Sequence, residues 1–156
     1  MDSPILRTTI RWLVVLLFMV AAFLLIRGHN APGGGFAGGL LAAAAVIITT
    51  MAIGAHEGRR LLRWAPATHI GSGLLLAAGS GFAWYFIDGT FLQAAWVAIP
   101  LGFTDVKLGT PLLFDIGVFQ VVLGSVAGFA LSLEEAVHPT VAEEDADADE
   151  EGTWKA

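Results

Sequence analysis

Cysteine is absent from this 156-residue sequence, tyrosine occurs once, and charge is scarce. The lack of cysteine excludes disulfides, thiolate metal sites and thiol catalysis. Only 14% of the residues are charged, where a soluble domain carries roughly a quarter. That is too little to cover a water-facing surface. No Ser/His/Asp arrangement, metal triad or phosphate cradle in a soluble frame is present, so a self-contained enzyme is not expected. What is abundant is oil. Hydrophobic residues make up 56%, mean hydropathy is +0.72, and long apolar runs carry it. That is the composition of an integral membrane protein, with the lipid bilayer as its first partner.

The formal net charge of −6 misleads. Residues 134–156 hold nine acids and one lysine, whereas the other 133 residues hold five acids and seven basic residues. The acidity belongs to the tail and does not argue for nucleic acid or any basic partner of the whole fold. From Val137 onward the chain is acidic and poor in large apolar residues. Such a stretch cannot bury enough surface to offset its ordering entropy, so residues 137–156 read as a disordered acidic tail.

Four apolar segments predict an all-α membrane bundle over residues 1–136, with spans at about 10–26, 36–54, 68–87 and 111–133. The first covers roughly 26 Å at helical rise, close to the hydrocarbon thickness. A signal peptide is the rival reading, but no small-x-small cleavage site follows it. Thr90–Phe103 is apolar yet only fourteen residues long and contains Pro100. It is too short to span and reads as interfacial or re-entrant. Arg7, Arg11, Arg59, Arg60 and Arg63 fall on one side of this topology, Arg27 and Lys107 on the other. The excess of positive charge places both termini in the cytoplasm.

One stretch interrupts the oil: "RGHNAPGGGFAGGL", Arg27 to Leu40. Gly33 to Gly38 formally matches G-x-G-x-x-G, and Glu57 lies near the spacing of a ribose-binding acid. The dinucleotide reading fails because apolar spans, not a strand and a helix of a βαβ unit, flank the glycines. Pro32 ends helical tendency at Ala31, and the glycines allow the chain to reverse. His29 and Asn30 add polar contacts. An ordinary turn needs one or two glycines. The set His29, Asn30, Pro32, Gly33, Gly34, Gly35, Phe36, Gly38 and Gly39 therefore reads as a docking turn covered by a neighbouring protein.

Helices in lipid associate by close packing and polar contacts. Gly117, Gly124, Gly128 and Ser132 line one face of the last span, and Gly71, Gly73, Gly79 and Gly81 stud the third. This supply of small faces exceeds what four helices need, so further membrane subunits are expected around them.

Charge inside a span is a functional candidate by default. Asp115 is the main one. Its structural reading is a carboxylate near the helix start at Thr110–Pro111, favoured by the dipole or paired with Lys107. Its functional reading is a station on an ion path. His69 and His29 read as interfacial hydrogen-bonding groups, and Gln120 as a cross-helix bond. His56 and Glu57 form no H-E-x-x-H, since Arg60 stands where the second ligand would be, so no metal site is expected. The arginines suit anionic headgroups or a partner's acidic loop.

The stretch Arg27–Leu40 resembles the signature of the MnhB/MrpB family, small membrane components of Mrp-type cation/proton antiporters. "GTPLLFDIGVFQVVLGSVAGFAL", Gly109 to Leu131, looks like that family's last helix. The resemblance covers about residues 5–133. It implies an accessory component, without cofactor, of a hetero-oligomeric complex of the bacterial cytoplasmic membrane. That complex exchanges Na+ for H+ and includes large subunits resembling the proton-pumping subunits of respiratory complex I. The alternative it leaves is a structural role in a related complex-I-like or membrane-bound hydrogenase assembly.

Overall fold

The computed structural model describes residues 4–28, 33–83, 96–100 and 105–137. Helix α1 runs Pro4–Gly28, α2 Gly34–Ile53, α3 Ala55–Leu62, α4 Pro66–Ala83 and α5 Thr110–Val137. Strands β1 (Trp96–Pro100) and β2 (Asp105–Gly109) stand between α4 and α5. Among the described residues this is an all-α bundle of four long helices carrying a short β ribbon.

Local sequence explains the helix ends. Pro4, Pro66 and Pro111 stand at or next to the first position of a helix, where a missing N–H costs nothing and the fixed φ suits the first turn. Gly33 precedes α2 at φ 96°, and Gly54 follows it at φ 120°. Side chains rarely adopt either angle, so these two glycines are required by the backbone. Arg63 closes α3 at φ 61°, a strained position for a residue with a Cβ.

Three of the described helices are long and apolar enough to cross a membrane: Ile5–Gly28, Gly34–Ile53 and Thr110–Val137. Helix α4 has 18 described residues and is not among the three. The last part of its expected span, 84–87, lies outside the described residues, as does the acidic tail after Val137.

The long helices lie side by side in the order α1, α2, α5, α4. The extensive contacts are α4 with α5, α1 with α2, and α2 with α5. Helix α3 folds back over the end of α2 and touches α5. The seams are built from small residues. Ala21, Ala42, Ala43, Val46, Ala127 and Leu131 are fully buried. Ile10, Val14 and Ala45 form a second cluster where α1 meets α2. Large apolar side chains point outward instead, among them Trp12, Leu16, Phe23, Met51, Leu75 and Phe129. In water that arrangement exposes far too much oil. In lipid it is expected, because hydrocarbon solvates these side chains while backbones approach closely.

Two segments take a form the sequence reading does not specify: the connection between the second and third spans, and the segment over 90–103 read as interfacial or re-entrant. The first is α3. The described part of the second, Trp96–Pro100, is β1, which pairs antiparallel with β2 from Trp96↔Gly109 to Pro100↔Asp105. β-branched Val97, Ile99 and Val106 favour extended backbone, and Pro100 stands at the strand end, where it is tolerated.

Candidate functional site

Asp115 lies where three helices converge. It is half-buried on α5 and is engaged by its neighbours. A Cβ built on Gly28, the last residue of α1, would stand 2.8 Å from Asp115 Oδ2. A Cβ on Gly35, in the first turn of α2, would collide with the Asp115 carbonyl oxygen. The end of α1, the start of α2 and the second turn of α5 therefore meet through main chain and one carboxylate. Because α5 already begins at Thr110, no acid lies in its first turn. The favourable α5 dipole expected for Asp115 falls off by the second turn.

The glycines of the first turn continue this contact. Gly34 faces the Gly28 Cα and the Leu24 carbonyl, and a Cβ on Gly38 would stand 2.8 Å from the Ala21 carbonyl oxygen and against the Phe119 ring. A Cβ on Gly39 would stand 2.9 Å from both the Phe119 carbonyl oxygen and Val122. Gly34, Gly35, Gly38 and Gly39 are all buried, within this chain. Of the expected docking turn, Gly33 has open space around it and Phe36 is 54% exposed. His29, Asn30 and Pro32 lie outside the described residues.

The glycine face of α5 meets α4. A Cβ on Gly117 would stand 2.7 Å from both the Ala77 nitrogen and the Gly73 oxygen. A Cβ on Gly124 would stand 2.8 Å from both the Pro66 carbonyl oxygen and the His69 Cβ, and one on Gly128 would meet the Pro66 ring. By contrast a Cβ on Gly71 or Gly79, on the other side of α4, would meet nothing within 4 Å among the described residues.

Polar contacts sit at the seams. Ser72 Oγ donates to Gln120 Oε1 at 2.6 Å, linking α4 to α5 as expected for Gln120. His69 Nε2 lies 2.9 Å from the Leu62 carbonyl. That oxygen only accepts, so Nε2 carries the proton. The His69 ring also lies 5.7 Å from Trp64. Two features go beyond what the sequence predicts. A Cβ on Gly58 of α3 would collide with Thr50 Oγ1, so α3 rides directly on α2. Arg59 grips Glu135 of α5 in a bidentate pair, Nε to Oε1 at 2.5 Å and Nη2 to Oε2 at 2.7 Å. The spacing of Gly58 and Arg59 in an amphipathic "AHEGRRLL" is the available signal. The Glu135 carboxylate, through its hydrogen bonds, raises the Arg59 pKa, against a smaller lowering by burial.

Among the described residues no three His, Asp or Glu side chains gather as metal ligands. One half-buried carboxylate at a glycine-lined junction can bind or relay a small cation or a proton. With so few oxygens, it cannot encage a cation alone.

Apolar helices sealed by glycine, with oil facing outward and one carboxylate at a three-helix junction, define a multi-pass membrane protein. A family model described as "Domain related to MnhB subunit of Na+/H+ antiporter" matches residues 5–128, and the chain belongs to that family. A curated relative from Rhizobium meliloti (strain 1021), a probable K(+)/H(+) antiporter component of combined A/B type, is 33% identical over 125 residues, covering 79% of this chain and 12% of the relative. Among solved structures, a chain in the "Structure of Mrp complex from Dietzia sp. DQ12-45-1b" matches with TM-score 0.68 and 34% identity, over 86% of this chain and 15% of that one. This chain thus spans a small fraction of the length of both.

Proposed function

We propose that the chain is an accessory membrane subunit of an Mrp-type antiporter in the bacterial cytoplasmic membrane. The complex exchanges Na+ for H+ at the expense of the proton motive force. The observation that carries this reading is the likeness, at 34% identity over 86% of the chain, to a component of an Mrp complex. The antiporter names of the matches favour it over a hydrogenase-type assembly. Partners are other membrane subunits, including large complex-I-like ones, and the cofactor requirement is nil. Helix α4 completes a fourth span, which returns both termini to the cytoplasm. The uncovered face of α4 around Gly71 and Gly79, together with Gly33 and Phe36, receives neighbouring subunits.

Asp115 is the ion-path candidate within this chain. Deleting the subunit is expected to abolish Na+/H+ exchange in membrane vesicles; full exchange without it refutes the accessory role. Asp115→Asn keeps size and removes charge. Normal assembly with reduced exchange supports the path, and normal assembly with unchanged exchange removes Asp115 from it.

A further inference from the structure

A cleft of about 480 Å³ opens between the start of α1, the end of α2 and α3. Its chemistry changes with depth. Arg7 and Arg11 of α1 and Arg60 of α3 line it at the helix ends. All three are exposed. Glu57 lies beside them and accepts a hydrogen bond from Arg60 at 3.1 Å. The mouth therefore carries three cations against one anion. One turn further along α1 the lining turns apolar at Val14 and Val15, and Ile53, the last residue of α2, adds an apolar side chain nearer the mouth. Arg7, Arg11 and Val14/Val15 follow one another at helical spacing, so they form a single column down one face of α1. Thr49, at the deep end, donates its hydroxyl to the Ala45 carbonyl and asks nothing of a ligand.

We infer that this cleft binds an anionic glycerophospholipid, its phosphate held by Arg7, Arg11 and Arg60 and an acyl chain laid along Val14, Val15 and Ile53. Guanidinium groups suit phosphate oxygens because their donors form a planar fork. The net positive mouth lies where a span leaves the hydrocarbon, which is the level of headgroups. The apolar depth selects among anions. An acidic peptide or free phosphate would satisfy the arginines and leave the groove below unfilled.

The test uses the full chain in nanodiscs of phosphatidylcholine containing a minority of phosphatidylglycerol, with co-retained lipid counted by native mass spectrometry. Wild type is expected to retain phosphatidylglycerol preferentially. Each of Arg7→Gln, Arg11→Gln and Arg60→Gln lowers that preference about fivefold, the worth of one basic side chain near an anionic surface. Lysine at the same three positions preserves it, and Arg27→Gln, at the far end of α1, leaves it unchanged. Val15→Trp fills the groove and lowers retention with all arginines in place. Four results overturn the proposal: no preference in wild type, equal loss in the Gln and Lys series, equal loss with Arg27→Gln, or full displacement of the lipid by inorganic phosphate. Unchanged retention in Val15→Trp removes the acyl-chain groove and overturns it as well.

Discussion

Replacing Gly117 by alanine adds one methyl group at the α4–α5 seam, and the structure gives it nowhere to go. The new Cβ would stand 2.7 Å from the Ala77 nitrogen and from the Gly73 oxygen, both main chain, and 2.9 Å from the Ala77 Cβ. Ordinary contact begins at 3.4 Å, so the helices must part by about 0.7 Å at this level, because no rotamer can relieve a clash with backbone. Overpacking of this kind costs about 1–3 kcal/mol. Alanine returns about 0.5–1 kcal/mol over glycine inside a helix. The expected net loss lies between about 0 and 2.5 kcal/mol, centred on about 1 kcal/mol. Gly71→Ala is the matched control. It makes the same chemical change on α4 but with nothing within 4 Å, so only the helix gain remains, about 0.5–1 kcal/mol of stabilisation. Both are measured as midpoint shifts in an SDS titration of mixed-micelle protein, followed by far-UV ellipticity. The two variants should move in opposite directions. If they move together by similar amounts, backbone contact at the seam is not what holds α4 to α5.

Gly58→Ala should destabilise by about 1–3 kcal/mol through its collision with Thr50; adding Thr50→Ala should recover more than half in the same titration, a coupling that two independent sites would not show. Arg59 supplies a pH prediction. Its pKa is raised in the folded chain, so its contribution is complete below the unfolded value and is lost only as pH climbs through the folded one, beyond the alkaline working range. Stability contributed by the pair should therefore stay flat through that range. Arg59→Lys should introduce a loss beginning near pH of about 10, where lysine deprotonates. The pair is about half exposed on both sides, so its removal should cost only about 0–1 kcal/mol.

The long helices are legible in the sequence because a span must be long and apolar, and little else in a 156-residue chain is. Their glycine faces are legible as spacing: Gly117, Gly124 and Gly128 share a stripe whatever lies opposite. What lies opposite is not. The sequence predicts a packing face open to some neighbouring backbone without naming it, and its partner is α4. It predicts that Gly34, Gly35, Gly38 and Gly39 form part of a surface for another protein, yet they are closed against α1 and α5. Spacing along one helix carries no address for the second, since any close backbone satisfies a missing Cβ. Helix α3 escapes because eight residues give barely two turns of periodicity and its charges read as a loop. The β ribbon escapes because short apolar runs are ambiguous between helix and strand. Asp115 stands out by its charge alone; its junction with Gly28 and Gly35 requires three helices at once.

That junction has a mechanical corollary. Where main chain rests on main chain, no side chain can swing aside, and the ends of α1 and α2 cannot shift without carrying α5 along. The unit should therefore shift as one rigid block, with any give falling at its edges, where leucines and phenylalanines face outward.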